Sequence, residues 1–488
     1  MASLLTGRRR WLVAGALGAA LVAAAPVAIA ANGSDSDNAR SSAGTGDRTN
    51  DVRSAIQGGS ARNVILFLGD GMGQSEITSA RNYERGAAGR LAMDELPLTG
   101  DYTTYAVEQN NPGKPNYVTD SAASGTGWAT GVKTYNGAIS VDAYGNPVPT
   151  ILELAKRGGL RTGDVTTAEV QDATPAVLGA HVVSRDCKGP VETTAKCAVN
   201  AKEKGGAGSI SEQLVQTRPD VLLGGGATYF DQTVTAGKFK GKTVLDQAKA
   251  AGYNVVNTAA DLAAAKKGKP VLGLFAKNNM PVNWTGPAAV HGGTAPARCT
   301  ANPALPKTQP KLADQTRKAL ELLDDRHSDK GFFLQVEGAS IDKQDHAADP
   351  CGQIGETIDF DAAIAAGTAF ARSHPDTLVL VTADHGHSSQ IVEPTATPGL
   401  TATLITNEGS NMTLAYGTAE TGGSQSHTGT QVRIAAMGPQ AANIVGLTNQ
   451  TDLFGTLKRG WMMSRADRLA APSLLMQERS ALRLSPEN

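Results

Sequence analysis

Aromatic residues are scarce in this chain: Phe, Trp and Tyr together make up 5% of 488 positions, against 55 glycines. That balance argues against a binding platform of stacked rings and suits a loop-rich enzyme. An excess of charge of either sign is lacking too. Lys and Arg number 45 and Asp and Glu 46, so the formal net charge is -1. A nucleic-acid-binding surface wants a basic excess, and none is expected here. The same balance offers no field for an anionic substrate. Hydrophobic residues make up 40% of the chain, which excludes a wholly disordered protein and a polytopic membrane protein. Cysteine is limited to four residues with no CxxC spacing, so a zinc ribbon is a poor fit. Internal repeats are absent. The length suits one large α/β domain with insertions, or about three domains.

The first thirty residues read as a signal peptide. Arg8, Arg9 and Arg10 form a positive segment, and Trp11 through Ala25 is apolar. Ala28-Ile29-Ala30 fits the small-x-small rule for cleavage, here expected after Ala30. The apolar run is about 15 residues, short of the roughly 20 that a membrane span needs. The protein is therefore expected to be exported, periplasmic or extracellular, with no stable membrane span after cleavage. The export route stays open, because the arginines also fit a twin-arginine signal. Residues 31–61, rich in Gly, Ser, Asp, Asn and Arg, read as a flexible leader. The body runs over 62–462, and 463–488 is a C-terminal extension whose leucines are interrupted by Pro472.

An exported chain with an even cysteine count pairs its cysteines as a rule. Cys187, Cys197, Cys299 and Cys351 allow three pairings. Joining Cys187 to Cys197 closes a short loop and leaves Cys299 with Cys351. A loop that short stabilises by roughly 3 kcal/mol in the chain-entropy model.

Several apolar runs end in residues that can do chemistry. Asn63 to Gly69 is followed by Asp70, Phe332 to Val336 by Glu337, and Leu378 to Ala383 by Asp384 and His385. Val221-Leu-Leu223 precedes three glycines. Between these runs, Thr150 to Lys156, Leu312 to Leu323 and 352–372 read as helices. Continuous apolar strands alternating with helices predict an α/β fold: a large, mostly parallel central sheet with helices on both faces. In such folds the site lies beyond the carboxyl ends of the strands.

Asp342 and His346 are four apart, which on a helix places carboxylate and imidazole on one face, a pairing that suits zinc. Asp70 stands in a Gly-rich turn that lets backbone approach a ligand. Ser121 lies in a run of small residues that predicts a helix start, where free N–H groups and the positive dipole end favour an anion. Singly, each has a bland explanation: a solvated strand end, or an N-cap serine. Three acids at three strand ends are harder to dismiss together.

Six segments occur in order: Gly69-Asp-Gly-Met-Gly73, Thr119-Asp-Ser-Ala-Ala-Ser124, Gln171-Asp-Ala-Thr-Pro175, Val336-Glu-Gly-Ala-Ser-Ile-Asp-Lys-Gln-Asp-His346, Thr382-Ala-Asp-His385 and His427-Thr-Gly429. Together they resemble bacterial periplasmic alkaline phosphatases, over roughly residues 62 to 460. The resemblance implies a three-layer α/β sandwich and hydrolysis of phosphate monoesters at alkaline pH through a phosphoserine. It implies two Zn2+ and one Mg2+ per subunit. One zinc would be held by Asp342, His346 and His427, and the other by Asp70, Asp384 and His385. Magnesium would be held by Asp70, Thr174 and Glu337. Ser121 would be the nucleophile, and Arg185, oriented by Asp120, would clamp phosphate. Asp172, Lys343 and His387 would support the site from outside. The resemblance also implies a homodimer, although the leader before Asn63 and the tail after about Met462 diverge.

Two other functions compete. A sulfatase would need a Cys or Ser in a Cys/Ser-x-Pro-x-Arg setting, which Ser121-Ala-Ala does not match, and a diesterase would have little use for Arg185. An exported phosphate- or metal-binding protein would not need Ser121 at the helix start.

Overall fold

The computed structural model describes residues 48–325 and 330–462, residues 461 and 462 by backbone alone. The expected signal peptide, its cleavage point and the extension 463–488 lie outside the described residues. Among the described residues, no helix is long and apolar enough to cross a membrane.

Ten strands form the main sheet. From one edge they run Gly446–Asn449, Leu98–Thr103, Val432–Met437, Thr377–Ala383, Asn63–Gly69, Phe332–Gly338, Arg161–Glu169, Val221–Gly225, Val271–Leu274 and Asn254–Val256. Val432–Met437 lies antiparallel to both neighbours, and every other pairing is parallel. The three central strands carry Val, Ile, Leu and Phe without alternation, and all their residues are buried. That is the pattern of a sheet covered on both faces.

Two helix groups supply the covers. In one, the long helix Pro350–Ser373 packs on Leu312–Leu323, Ser340–His346 and Gln74–Arg85. Asp349 caps its start by accepting from the Gly352 N–H at 3.0 Å, and Pro350 takes the first position, where no N–H partner is needed. In the other group, Asp452–Met462 packs on Ser121–Thr130 and Ile151–Arg157. Both groups touch the central strand Asn63–Gly69.

A smaller antiparallel sheet, in the order Val290–His291, Leu400–Ile405, Asn411–Tyr416, Gln390–Val392, closes a second apolar cluster around Tyr83, Leu404, Leu414 and Tyr416. The disulfide Cys299–Cys351 ties this region to the long helix, and Cys187–Cys197 closes the short loop. Part of the expected leader is ordered: Thr49–Ala55 is helical, Gln57 bridges to Pro439, and Ala61 is buried. Composition suggested a solvated segment, but Val52 and Ala55 pack against the main core.

Candidate active site

Three acids meet where the central strands end. Gly69 stands opposite both Gly338 and Ala383, so Asp70 and Asp384 leave neighbouring strands at one level, with Glu337 two residues below. Gly71 adopts φ +67°, and a Cβ there would lie 3.0 Å from the Asp342 Cα. Glycine lets the turn after Asp70 close on the Asp342 helix. One oxygen of Asp384 accepts from the N–H groups of Gly71 (2.8 Å) and His385 (2.9 Å). Its main-chain carbonyl accepts from Ser124 Oγ (2.8 Å) and Gln450 Nε2 (2.9 Å), which pins this turn to the helix carrying Ser121. Glu337 accepts from the Thr166 hydroxyl.

Ser121 is the first residue of Ser121–Thr130, all ten residues of which are buried. Its Oγ lies 3.3 Å from His385 Nε2 and 3.4 Å from Asp70 Oδ1. Asp120 caps the helix, accepting from the Ala123 N–H at 2.9 Å. Its other oxygen accepts from the Gly137 N–H (3.0 Å) and from Arg185 Nη1 (3.2 Å).

The histidines divide by the partner of Nδ1. That nitrogen faces a carbonyl in three of them: Gln425 for His346, Thr119 for His427 at 3.1 Å and Gly386 for His385 at 3.2 Å. A carbonyl only accepts, so Nδ1 carries the proton and Nε2 keeps a lone pair for a metal. His387 is the reverse. Its Nδ1 accepts from the Ser388 N–H at 2.9 Å, which leaves the proton on Nε2, 3.3 Å from Asp342 Oδ1. Neither atom makes a hydrogen bond, and the ring comes as close to that oxygen as His427 (3.2 Å) and His346 (3.4 Å) do.

The opposite flank of Ser121 is cationic. Asp172 receives Arg185 Nη2 at 2.9 Å on Oδ1 and Lys343 Nζ at 2.8 Å on Oδ2. Lys188 Nζ stands 3.9 Å from Oδ1 and 2.6 Å from Glu169. Burial alone would raise the Asp172 pKa, but Lys343, Lys188 and Arg185 outweigh it and hold the carboxyl well below the usual range. The strand-end acids behave oppositely. Burial, then repulsion from Asp342, pushes Asp70 up to about 7, and burial, then repulsion from Asp70, pushes Glu337 up to about 8. Asp384 is raised well above its ordinary value by burial and by Asp70.

Buried acids held this way call for cations from outside. Asp342 Oδ1, Asp384 Oδ2 and Thr174 Oγ1 are buried and make no hydrogen bond. The ligand atoms of Asp342, His346, His387 and His427 lie within 4.8 Å of one another, as do those of Asp70, Asp342 and His385. Carboxylate and imidazole donors with unmet bonding capacity fit divalent metals.

Comparison with known proteins agrees with this chemistry. The family model described as Alkaline phosphatase matches residues 61–424. The chain belongs to the alkaline phosphatase family. It is similar to the alkaline phosphatase of Escherichia coli (strain K12), with 58% identity over 422 residues, covering 85% of this chain and 89% of that one. It is as similar to a streptomycin-6-phosphate phosphatase of Streptomyces griseus, 58% identical over 405 residues, covering 81% and 90%. Among solved structures, a mutant of the alkaline phosphatase from the Antarctic bacterium TAB5, with Mg bound in its M3 site, matches at 25% identity and TM-score 0.62, covering 83% and 98%. This chain is a phosphomonoester hydrolase on the family's fold.

The structure brings Asp70 and His385 to Ser121, His346, His387 and His427 to Asp342, and Asp120, Asp172 and Lys343 into one network with Arg185. Sequence reading missed Lys188, Glu169, Thr166, Ser124 and Gln450. Lys188 carried a local signal, being a cation three residues past Arg185 beside a cysteine. Gln450 carried none, since its contact with Asp384 spans 66 positions.

Proposed function

We propose that this phosphomonoesterase transfers the phosphoryl group first to Ser121 and then to water. What supports this most is the place of Ser121: a serine at a buried helix start, 3.3 Å from His385 Nε2, with Arg185 held beside it through Asp120. Asp342, His346 and His427 would hold one Zn2+, Asp70, Asp384 and His385 a second, and Asp70, Thr174 and Glu337 a Mg2+. Bound there, such ions supply the positive charge that eases ionisation of a serine hydroxyl and of an ester oxygen.

The chain's own residues do the rest. Ser121 Oγ attacks phosphorus in line, so a Ser–O–P bond forms as the ester P–O bond breaks and the alcohol leaves. Water then attacks the phosphoserine, releasing inorganic phosphate and restoring Ser121. Free N–H groups at the helix start face the phosphoryl oxygens. Arg185 lends one hydrogen of Nη1 to Asp120 and one of Nη2 to Asp172. Each nitrogen keeps a second hydrogen, a pair suited to two phosphate oxygens. Lys343, held by Asp172, adds positive charge on the same flank. His387 steadies Asp342.

The physiological setting belongs to the same proposal: an exported enzyme, cleaved after Ala30, acting as a homodimer on a broad range of monoesters. A substrate panel spanning aryl phosphates and streptomycin 6-phosphate, with sedimentation of the purified enzyme, tests these points. The decisive experiment is acid trapping of labelled phosphoenzyme. Label is expected on Ser121, and label on any other residue overturns the scheme. Ser121→Ala should lower turnover at least about a thousandfold while phosphate still binds.

A further inference from the structure

Lys188 lies on the Arg185 loop, and its main chain is firmly held. The disulfide fixes Cys187 beside it. The Lys188 carbonyl accepts from the Ser211 N–H (3.0 Å) and hydroxyl (2.7 Å), and that of Cys187 accepts from the Ile210 N–H (2.9 Å). The side chain is 22% exposed and runs past the Tyr229 ring, with Nζ 5.8 Å from its centroid. It ends between two carboxylates, in contact with Glu169 at 2.6 Å and just outside hydrogen-bonding distance of Asp172 Oδ1 at 3.9 Å. Arg185 Nη2 occupies that same oxygen. Asp172 Oδ1 thus has one cation in contact and a second in reserve.

Phosphate disturbs this arrangement. A dianion on the second hydrogens of Arg185 draws on the same positive charge that balances Asp172 Oδ1, while Lys343 stays on Oδ2, and a buried carboxylate is costly when its compensation weakens. Granted that Arg185 is the phosphate clamp, we propose that Lys188 is a positioning residue that adds its charge to Asp172 as Arg185 shares its own with phosphate, with Glu169 as its counterweight. Nζ moves about 1 Å toward Oδ1, into ordinary hydrogen-bonding range. Glu169 draws it back when phosphate leaves. The two residues therefore set phosphate affinity in opposite directions.

The test is calorimetric titration of inorganic phosphate into metal-loaded enzyme, with metal content and thermal midpoint measured for each variant. Lys188→Met should weaken phosphate on the order of fivefold, the effect of one charge at several ångströms in a half-polar medium. Lys188→Arg should restore most of it. Glu169→Gln should tighten phosphate by about the same factor, because it frees the Lys188 charge. This variant leaves Lys188 in place and serves if Lys188→Met does not fold. In an Asp172→Asn background, the effect of Lys188→Met should shrink to less than about twofold, the mark of action through Asp172.

An unchanged affinity in Lys188→Met or Glu169→Gln, alongside weakened binding in Arg185→Ala, overturns the role of Lys188 and spares the clamp. So does a Lys188→Met effect that persists in full in Asp172→Asn, which makes Lys188 a direct phosphate contact. Arg185→Ala with unaltered phosphate affinity overturns the clamp itself.

Discussion

Ser121 sits between two sets of buried carboxylates that reach neutrality by different routes. On one side Asp172 is met by Arg185, Lys343 and Lys188, and its proton is lost far below the ordinary pH. On the other, Asp70, Glu337 and Asp384 face one another at three strand ends, and burial and mutual repulsion raise their pKa values. Burial opposes ionisation in both sets. The difference lies in where the opposing cation comes from. Beside Asp172 the chain supplies it, and at the strand ends the chain leaves unpaired oxygens for an ion from solution. A phosphate clamp needs permanent positive charge, whereas a metal centre needs donors that stay unsatisfied without the ion.

Removing the ions should break the comparison most severely. Chelation is expected to lower turnover at least about a thousandfold, reversibly on readdition of Zn2+ and Mg2+. It should also make stability depend on pH. In ion-free protein Asp70 and Glu337 titrate near 7 and 8, against ordinary values of 3.8 and 4.5. The folded state then binds more protons than the unfolded one, so stability falls as pH rises between about 4 and 8. Bound cations keep the acids ionised and remove that dependence. The gap between metal-loaded and chelated thermal midpoints should widen from pH 5 to pH 8, and a constant gap would contradict the contrast.

The cationic side is tested by Arg185→Ala, expected to weaken phosphate about a hundredfold with metal content unchanged. Metal loss in that variant would mean that the two sets are not independent. Cys197→Ser should have a smaller effect, costing about 3 kcal/mol of stability through loss of the short loop constraint. Phosphate affinity should weaken in the still-folded protein, since the loop presents both Arg185 and Lys188; unaltered affinity would sink that link.

The smallest effect is expected at a pair outside both sets. His181 Nε2 lies 3.1 Å from Glu153. Burial lowers the His181 pKa, but Glu153 and the Ser140 carbonyl outweigh it and raise the pKa above 6.5. The stabilisation is therefore full below about 6.5 and is lost as pH rises through the higher folded value. Comparing midpoints, His181→Gln should cost up to about 1 kcal/mol at pH 6 and almost nothing at pH 9.

Four of the ten strands were legible because they are short apolar runs that end abruptly in polar or glycine residues. The runs Asn63 to Gly69, Phe332 to Val336, Leu378 to Ala383 and Val221 to Leu223 fall within Asn63–Gly69, Phe332–Gly338, Thr377–Ala383 and Val221–Gly225. The helix Leu312–Leu323 matched its sequence bounds, since its apolar positions recur at helical spacing. The helix at Thr49–Ala55 was not legible, because it depends on packing against the body and not on its own composition. Lys188 was passed over despite its place three residues past Arg185, because its partners Glu169 and Asp172 meet it only in the fold.

Residue chemistry and its order along the chain were already set by the sequence: acids at strand ends, a serine in a run of small residues, an aspartate and a histidine four apart. These depend on spacing within one turn or one strand, which the backbone imposes locally. Which nitrogen of each histidine is free, and which carboxylate finds a cation, depended on the fold. The Nδ1 partner of His346 lies 79 positions away and that of His427 lies 308 away. The Lys343–Asp172 pair spans 171. Hydrogen bonds and ion pairs act over a few ångströms, and only the packed sheet brings such distant residues within that range.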